Sequence, residues 1–350
     1  MIVALVFSSK NGMAEWLRQK KQGEVTEEDS DPPPDMFAEC DSDETIRAIL
    51  QSLEERHQVI PIEADREAYN RLRETRPDLV FNISERLFGS SRESHIPVLC
   101  EMLDLPYTGS DPLTLGICLD KSRAKEILSY HGIPTPEFWT VEAGAAVPPA
   151  VTLPAIVKPL FEGSSKGITD DCVVRTRKEL EERAAAVSSR YSQPVIIEKF
   201  LGGREFTVGL LGNPPSYEIL PIVEIDHGLL PRGANPIYSY EAKWVWDTPE
   251  NPLPIFRCPA NISGALEEKI REVVARACRL LRVRDWCRVD VRLDEGGEPN
   301  VLEVNPLPGI LPNPEENSCL PKAARTAGYS YSGLIHRVVE EAARRWGLQS

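Results

Sequence analysis

The chain has 350 residues, and its 40 Lys plus Arg against 54 Asp plus Glu give a formal net charge of -14 at pH 7. This length accommodates two or three compact domains. The acidic balance argues against nucleic acid as a partner, because a basic footprint supplies much of the affinity in such complexes. The eight cysteines are scattered without a Cys-x-x-Cys pair, which favours reduced core thiols over a metal cluster or a disulfide framework.

The N-terminal apolar stretch 2–7 predicts a β-strand and not a secretion signal. No basic residue precedes it, and it ends at Ser8 after too few residues for a signal sequence. Elsewhere no apolar run reaches the roughly 18 residues that a bilayer span requires. We therefore expect a soluble, cytoplasmic protein that has no membrane partner.

Residues 19–35 contain almost no apolar side chain and include three consecutive prolines, which predicts a mobile insertion. Around this insertion, short apolar stretches alternate with helical ones such as 43–56, a pattern typical of a parallel α/β sheet. We therefore predict an α/β, Rossmann-like N-terminal domain over residues 1–116.

Beyond Pro154 strands dominate, which predicts an α+β fold in two parts, 117–208 and 209–350. A helix that carries Asp120 and Lys121 is expected to begin the first part. The predicted strands lie at 155–158, 195–200, 205–211, 219–225, 286–293 and 300–304. Further helices are predicted at 177–188, 263–281 and 331–346.

Residues 286–305 contain two alternating runs on either side of a Gly-Gly pair, a pattern that predicts a β-hairpin. If the two glycines form a two-residue turn, Asp290 lies opposite Glu303 and Arg288 lies opposite Asn305. All four side chains then share one face, because residues i and i+2 of a strand point the same way.

Two carboxylates directly opposite each other repel unless a cation lies between them. Asp290 and Glu303, with the amide of Asn305, offer the hard oxygen ligands that suit Mg²⁺, with Mn²⁺ as a substitute. Arg288 beside them suits the stabilisation of a transferring anionic group. The alternative interpretation is an ordinary solvated face, since Arg292 continues the same alternation.

A second candidate site follows the strand that ends at Lys158. The loop after it, Glu-Gly-Ser-Ser-Lys-Gly at 162–167, has backbone N–H groups that can approach an anion closely, and the lysine can reach the same phosphates. No G-x-x-x-x-G-K-[ST] sequence occurs, so a P-loop has no support. A flexible hairpin tip is the alternative interpretation. Glu198 and Glu205 offer carboxylates to a base and a ribose, or are simply solvated.

In this order, these stretches resemble the D-alanine–D-alanine ligase family of ATP-grasp enzymes over about two thirds of the chain, from Tyr107 to His336. The matching motifs are LPYTGS (105–110), LDK (119–121), IVKP (156–159) with EGSS (162–165), IEK (197–199) with EFTV (205–208), YEAK (240–243), RVD (288–290) and EVN (303–305). One such motif is weak evidence, whereas the ordered set is specific. The resemblance implies a two-part ATP-grasp fold after the N-terminal domain.

The resemblance also implies a role for individual residues, carried over one by one. The ATP phosphates would be contacted by Lys121, Lys158, Ser165 and Lys243. Adenine would be framed by Glu198, Lys199 and Leu201, and the ribose would be held by Glu205. Mg²⁺ would be bound by Asp290, Glu303 and Asn305, and the catalytic pair would be Arg288 and Ser164. The amino-acid substrates would be contacted by Glu15, Arg92, Tyr240, Gly309 and Ser318.

The reaction implied by the resemblance consumes ATP. A substrate carboxylate attacks the γ-phosphorus to give an acyl phosphate, and an amine then displaces phosphate to form an amide. Phosphoryl transfer demands mainly positioning and charge neutralisation, which three lysines, an arginine and Mg²⁺ can supply. Small amino-acid or amine substrates are implied in the same way, and so is a homodimer.

The chain departs from the family pattern mainly where the amino acids bind. Where the family has His-Gly…Gly-Glu-Asp-Gly, this chain has Leu87 at the histidine position and Arg92 at the glutamate position. Arg92 could grip a carboxylate-bearing substrate with both nitrogens of its fork, or it could pair with Glu85 or Glu93.

Three further differences concern the same region. Glu15 follows a degraded glycine-rich turn, and Trp244 replaces a tyrosine whose hydroxyl would bond Ser164. The loop between Asn305 and Ser318 is longer and richer in proline than the family's.

Three functions therefore stay open. The first is a carboxylate–amine ligase with a changed amino-acid substrate, and the second is a D-alanine–D-alanine ligase of cell-wall synthesis. The third is a non-catalytic ATP-binding module. The retained arginine and lysines argue against the third, since a pure binder needs no group that acts on a transition state.

Overall fold

The computed structural model describes residues 1–21, 33, 35–247 and 252–348, and their strands form three sheets. The first sheet is parallel with strand order β2-β1-β3, and its strands are β1 (Ile2–Phe7), β2 (Gln58–Glu63) and β3 (Leu79–Asn82). The helices of this region are α1 (Lys10–Lys21), α2 (Asp43–Glu54), α3 (Ala68–Thr75) and α4 (His95–Met102). The parallel sheet agrees with the Rossmann-like pattern predicted for the N-terminal part.

Most of the predicted mobile insertion, at 22–32 and 34, lies outside the described residues. Its two ends differ from the prediction, because α1 continues to Lys21 and Asp35 is buried. The Asp35 carboxylate accepts hydrogen bonds from the Gly167 amide at 2.8 Å and from the Tyr191 hydroxyl at 2.6 Å. Polar composition indicated a mobile chain but could not reveal these distant partners.

The second sheet is antiparallel with strand order β4-β7-β5-β6. Its strands are β4 (Phe138–Val141), β5 (Ala155–Pro159), β6 (Val173–Val174) and β7 (Val195–Lys199), and its helices are α5 (Pro112–Leu119), α6 (Lys121–Tyr130) and α7 (Arg177–Tyr191). Asp120 ends α5 and caps α6, since its side chain accepts hydrogen bonds from the amides of Ser122 and Arg123 at 3.0 and 3.2 Å. The single helix predicted to carry Asp120 and Lys121 is therefore two helices.

The third sheet has strand order β11-β10-β8-β12-β13, with β9 paired to β8. Its strands are β8 (Glu205–Asn213), β9 (Ser216–Ile219), β10 (Val223–Ile225), β11 (Phe256–Arg257), β12 (Trp286–Leu293) and β13 (Pro299–Asn305). Its helices are α8 (Gly264–Leu280), α9 (Cys319–Thr326) and α10 (Tyr331–Trp346). The strand predicted over 219–225 is broken around Pro221, because proline has no N–H for the ladder.

One hydrophobic core joins the first and third sheets, with Phe81, Trp286 and Leu334 among its members, whereas the second sheet has a core of its own. The helix α10 packs against α2. The predicted domain boundaries at 116 and 208 fall inside α5 and β8, and we propose boundaries at 120 and 204 instead.

Local signals in the sequence define several helix ends. Thr176 and Glu179 form a capping box at the start of α7, and Ser263 caps α8. Gly347 ends α10 with a φ of 69°, a conformation that glycine adopts without strain. Among the helices of the described ranges, none combines the length and the apolar character that a membrane span requires.

Candidate active site

The four polar side chains predicted to share one face of the hairpin lie together in the structure. Antiparallel pairing of β12 with β13 places Asp290 opposite Glu303 and Arg288 opposite Asn305. The guanidinium of Arg288 donates a hydrogen bond to the Asp290 carboxylate at 2.9 Å, and the Asn305 amide donates to the same carboxylate at 3.3 Å. The predicted pairing is confirmed.

The predicted turn, by contrast, is wrong. The Asp294 amide donates to the carbonyl of Glu298 at 3.0 Å, so three residues form the turn where two were expected. The register then shifts by one residue between Asp290 and Val291, where Leu302 has no opposite partner and forms a bulge. These two departures cancel, which is why the predicted pairs were nevertheless correct.

The two opposed carboxylates differ in how well this chain compensates their charges. Burial and repulsion from Glu303 raise the pKa of Asp290, although Arg288 acts in the other direction. Burial acts to raise the pKa of Glu303 too, but Lys121 and Arg288 bring that pKa below its usual value. The Lys121 ammonium lies 3.0 Å from Glu303. A bound cation would therefore stabilise the ionised form of Asp290 more than that of Glu303.

The hairpin residues fit a bound Mg²⁺. They offer two carboxylates and an amide oxygen, and Mg²⁺ usually takes one or two protein carboxylates and fills its octahedron with water and phosphate oxygens. Within the described ranges, no group of three or more His, Cys, Asp or Glu side chains is arranged to hold a metal ion. The buried Nε of Arg288 has no hydrogen-bond partner among those residues, which suits a group that meets an anionic ligand.

The three lysines predicted to contact phosphates come from three different elements. Lys121 begins α6, Lys158 lies near the end of β5, and Lys243 lies in a short π-helix, Ala242–Trp246. The Lys121 ammonium also donates to the backbone carbonyl of Glu162, directly before the glycine–serine loop. The fold thus joins the loop, Lys121 and the hairpin.

Glu198 organises the lysines by direct contact. Its carboxylate is buried and lies 2.7 Å from the Lys158 ammonium and 3.1 Å from the Lys125 ammonium. Burial acts to raise the pKa of Glu198, but the two lysines lower it to about 2. Because this carboxylate is engaged by both lysines and β7 is paired with a strand on each side, contact of Glu198 with a base stays a prediction. Sequence reasoning missed Lys125, although its position one helical turn after Lys121 was a usable signal.

Glu205, the predicted ribose ligand, lies between a histidine and an arginine. His227 is 3.0 Å away and the Arg292 guanidinium is 2.9 Å away. Burial acts to raise the pKa of Glu205, whereas His227 and Arg292 lower it to about 2. Arg292 is itself buried, so the alternative of an ordinary solvated face is wrong at this position. The role of Glu205 toward a ribose stays a prediction.

The other two predicted adenine residues follow directly along the chain. Lys199 ends β7 and lies 3.4 Å from Glu295 near the hairpin turn, while Leu201 is buried. Contact of either residue with a base stays a prediction.

The glycine–serine loop adopts a strained backbone. Ser164 and Ser165 have φ angles of 50° and 60°, in the left-handed region that non-glycine residues rarely occupy. The Ser165 hydroxyl donates to the carbonyl of Tyr238 at 2.9 Å. The indole N–H of Trp244 donates to the Ser164 carbonyl at 3.3 Å. Trp244 therefore contacts the loop through a different atom from the tyrosine hydroxyl of the family.

A pocket between the hairpin and the N-terminal region contains Arg288, Ser164 and Gly309. Besides Glu303, three more glutamates line it: Glu39, Glu85 and Glu93. Sequence reasoning did not assign any of the three to the site. Glu85 lies three residues after the end of β3, and the C-terminal ends of parallel strands are where ligands commonly bind, so the signal for Glu85 was present.

Arg92 does not face this pocket as a free group. Its guanidinium is buried and donates to the Glu39 carboxylate at 2.8 Å, to Glu162 at 3.3 Å and to the carbonyl of Phe161 at 2.7 Å. The prediction that Arg92 grips a substrate carboxylate is therefore wrong for this arrangement. The alternative partners, Glu85 and Glu93, were not the observed ones either.

The remaining predicted substrate residues divide into two groups. The Ser318 hydroxyl lies 3.4 Å from the Gly309 carbonyl, so the long proline-rich loop still brings both residues to one corner. Glu15 lies on α1 with a 55% exposed side chain, 2.8 Å from Arg18, and it does not line the pocket. Tyr240 does not line it either, and its amide donates to the Ile168 carbonyl at 2.7 Å.

Comparison with known proteins decides the family. Residues 127–340 match the family model of the D-ala D-ala ligase C-terminus. A D-alanine–D-alanine ligase of Desulforudis audaxviator is 33% identical over 305 residues, which cover 85% of this chain and 92% of that protein. The chain belongs to the D-alanine–D-alanine ligase family. It is therefore an ATP-grasp, ATP-dependent ligase of the class that forms carbon–nitrogen bonds.

Other family relatives differ in how much is known of them. An uncharacterized protein of Sinorhizobium fredii, y4sG, is 35% identical over 268 residues, 77% of this chain and 75% of that protein. The crystal structure of a Bacillus anthracis D-alanine–D-alanine ligase with ATP aligns with a TM-score of 0.70 at 22% identity, over 99% of this chain and 98% of that chain. This likeness supports the ATP-grasp fold.

The phosphate-binding role predicted for Lys243 leads us to expect nucleotide binding that depends on pH. Burial and the neighbouring Arg288 lower the pKa of Lys243 to about 8. Only the ammonium form attracts phosphate, so ATP binding takes up a proton once the pH exceeds that value. We expect the Kd for Mg²⁺ with a non-hydrolysable ATP analogue to rise roughly tenfold between about pH 7 and 9, as measured by calorimetry. The Lys243→Arg variant should bind with little pH dependence, and a flat wild-type profile would contradict this role of Lys243.

Proposed function

We propose that this family member activates a substrate carboxylate with ATP and joins it to an amine through an acyl phosphate. The observation that carries the proposal is the pairing of Arg288, Asp290, Glu303 and Asn305 on one hairpin face, with the Lys121 ammonium 3.0 Å from Glu303. Phosphoryl transfer needs positioned cationic groups more than covalent chemistry by the protein. This face provides them beside a pocket.

In this proposal, Lys121, Lys158 and Lys243 bind the phosphates and Ser165 adds a contact from the loop. Arg288 neutralises charge on the transferring phosphoryl group and then on the tetrahedral intermediate, with the Ser164 segment above it. The substrate carboxylate attacks the γ-phosphorus and ADP leaves. The amine then attacks the acyl carbon, a proton leaves the nitrogen, and phosphate departs.

Asp290, Glu303 and Asn305 would hold Mg²⁺ or Mn²⁺, which supplies charge neutralisation at the phosphate oxygens when bound. The pairing of β12 with β13 places these three side chains on one face. The homodimer implied by the resemblance stays a prediction.

We further propose that the amino-acid substrate is not that of the ordinary cell-wall enzyme. Leu87 and Arg92 do not line the pocket and therefore do not support this proposal. Its support comes from Glu85 and Glu93, which do line the pocket. Burial and repulsion from Glu39 raise the pKa of Glu85 well above its usual value, and burial raises the pKa of Glu93 to about 7. Neither carboxylate has a hydrogen-bond or ion-pair partner within the described ranges. A substrate with an additional amino group would compensate both.

The experiment that tests the function is a screen for ADP release with Mg²⁺-ATP. All D- and L-amino acids, diamino acids and simple amines would be supplied singly and in pairs, with mass spectrometry of the products. The Asp290→Asn variant serves as the blank. Turnover confined to D-alanine pairs would overturn the changed-substrate proposal.

A D-alanine–D-alanine ligase is the second candidate, because relatives of that name are 33% to 37% identical to this chain. It requires the pocket to accept two small neutral side chains next to Glu85 and Glu93. The non-catalytic module considered from the sequence has no support from the family comparison. The same screen separates the two ligase candidates.

Replacing Glu85 by Gln should reveal whether it meets a cationic group. We expect the KM of a diamino substrate to rise roughly tenfold, because a charge-assisted hydrogen bond is lost, while the KM of a neutral amino acid stays unchanged. Steady-state kinetics with both substrates measures this, and the exposed Glu182→Gln change serves as the control. Equal effects on both substrates would show that Glu85 acts on the pocket in general.

A further inference from the structure

Two carboxylates from the segment 35–41 accept hydrogen bonds from the glycine–serine loop. The Glu39 carboxylate accepts a hydrogen bond from the Gly163 amide at 2.7 Å, and the Asp35 carboxylate accepts one from the Gly167 amide at 2.8 Å. These are the first and last amides of the loop at 163–167. We call residues 35–41 the strap.

The strap is anchored to the N-terminal part of the fold. Phe37 and Cys40 belong to an apolar cluster with Met13, Leu17 and Leu87. At its end, the Asp41 amide donates to the carbonyl of Ser8 at 2.8 Å, directly after β1. The strap therefore has an apolar inner side and two carboxylates that reach the loop.

Ion pairs strengthen the contact between the strap and the loop. The Glu39 side chain is 1% exposed and accepts hydrogen bonds from Arg92 at 2.8 Å and from Lys166 at 3.2 Å. Lys166 belongs to the loop itself, and Arg92 also reaches Glu162 just before it. Burial acts to raise the pKa of Glu39, but Arg92 and Lys166 lower it to about 2. The carboxylate is thus ionised and bound on both sides.

The strap occupies the ends of the loop and leaves its middle available. The amides of Ser164 and Ser165 donate to no acceptor in the described ranges. Both residues have positive φ angles, and consecutive amides in such conformations form a concave site for an anion. Holding two serines in this region costs free energy, and the fixed ends of the loop help to maintain it.

We propose that the strap is a positioning element for phosphoryl transfer, which holds the loop in its phosphate-binding shape before ATP arrives. The inference rests on the proposed function of the loop. It also accounts for two departures from the family pattern, since Leu87 belongs to the apolar anchor of the strap and Arg92 binds Glu39. Asp35 and Glu39 are positioning residues, because they act on phosphate through the loop.

Hydrogen exchange followed by mass spectrometry tests the strap without any substrate. In the Asp35→Ala variant, a peptide that covers 160–168 should exchange about tenfold faster than in the wild type, because the contact with the Gly167 amide is lost. Asp35→Asn keeps an acceptor oxygen and should stay close to the wild type. Leu87→Ala should also accelerate exchange, although Leu87 lies in the anchor and not in the loop. Glu182→Gln, on an exposed helix face, is the control.

Nucleotide binding separates failure of the strap from failure of the proposed function. We expect Asp35→Ala to raise the Kd for Mg²⁺ with a non-hydrolysable ATP analogue about tenfold. If the wild type bound no nucleotide, the function of the loop would fail, and the exchange data would still report on the strap. Unchanged exchange in both Asp35→Ala and Leu87→Ala would overturn the inference. Tighter nucleotide binding in Asp35→Ala would overturn it too, since the strap would then be inhibitory.

Discussion

Replacing Arg288 by Lys should lower kcat by about 10²–10³-fold while the Kd for the ATP analogue changes little. Removal of one preorganised donor to a developing negative charge has an effect of this size. Lysine keeps the positive charge next to Asp290 and Glu303, so the net charge of the site is preserved. It cannot reproduce the planar fork of a guanidinium, of which one nitrogen holds Asp290 at 2.9 Å and the buried Nε is free of partners among the described residues.

Steady-state kinetics with the substrates found by the screen measures this effect. Arg284→Lys is the matched control, because Arg284 lines a different pocket beside α10. A loss confined to KM would mean that Arg288 only binds the ground state. A loss of less than about tenfold in kcat would show that Arg288 does not stabilise the transition state.

Replacing Glu198 by Gln should produce the largest loss of stability, about 3–5 kcal/mol, because it leaves the buried ammonium of Lys125 and the largely buried ammonium of Lys158 without their counter-ion. Lys125 and the carboxylate of Glu198 are 2% and 1% exposed, so solvent cannot replace the missing charge. Lys158 loses its partner at the same time. The free energy of unfolding in urea and the thermal midpoint measure this change.

The double variant Glu198→Gln with Lys125→Met is the informative control. It removes one of the two uncompensated charges and should recover a substantial part of the lost stability. Glu182→Gln, at an exposed position, should leave the thermal midpoint unchanged. If Glu198→Gln were no less stable than the wild type, the lysines would have to be neutral or hydrated, contrary to the buried network described above.

The hairpin could be predicted because its information is local. Alternation over 286–293 fixes the strand and its faces, and a turn near the glycines limits the register to a few choices. The two opposed carboxylates then indicate a candidate cation site. The predicted pairs were correct despite the error in the turn, because the bulge at Leu302 shifts the register back by one residue.

The contacts of Arg92 and Glu39 could not be predicted because their information is not local. They lie 53 positions apart, and the segment between α1 and Glu39 was interpreted from composition, which contains no partners. A buried ion pair of this kind leaves no periodic pattern. Arg292 shows the same limitation, since its place in the alternation left a solvated face open as an alternative, whereas in the structure Arg292 is buried and pairs with Glu205 on the neighbouring strand.

The bulge at Leu302 also gives the hairpin a property that regular alternation forbids. Leu302 and Glu303 are both half-buried, whereas Val301 and Val304 on either side are fully buried. Two consecutive side chains can thus lie toward the ligand side of the sheet, one apolar and one charged. The apolar side chain of Leu302 then lies next to the carboxylate of Glu303, which is proposed to bind the metal. This arrangement matches a nucleotide, in which a flat base is joined to charged phosphates, and the single unpaired residue Leu302 adds the apolar part to the same strand.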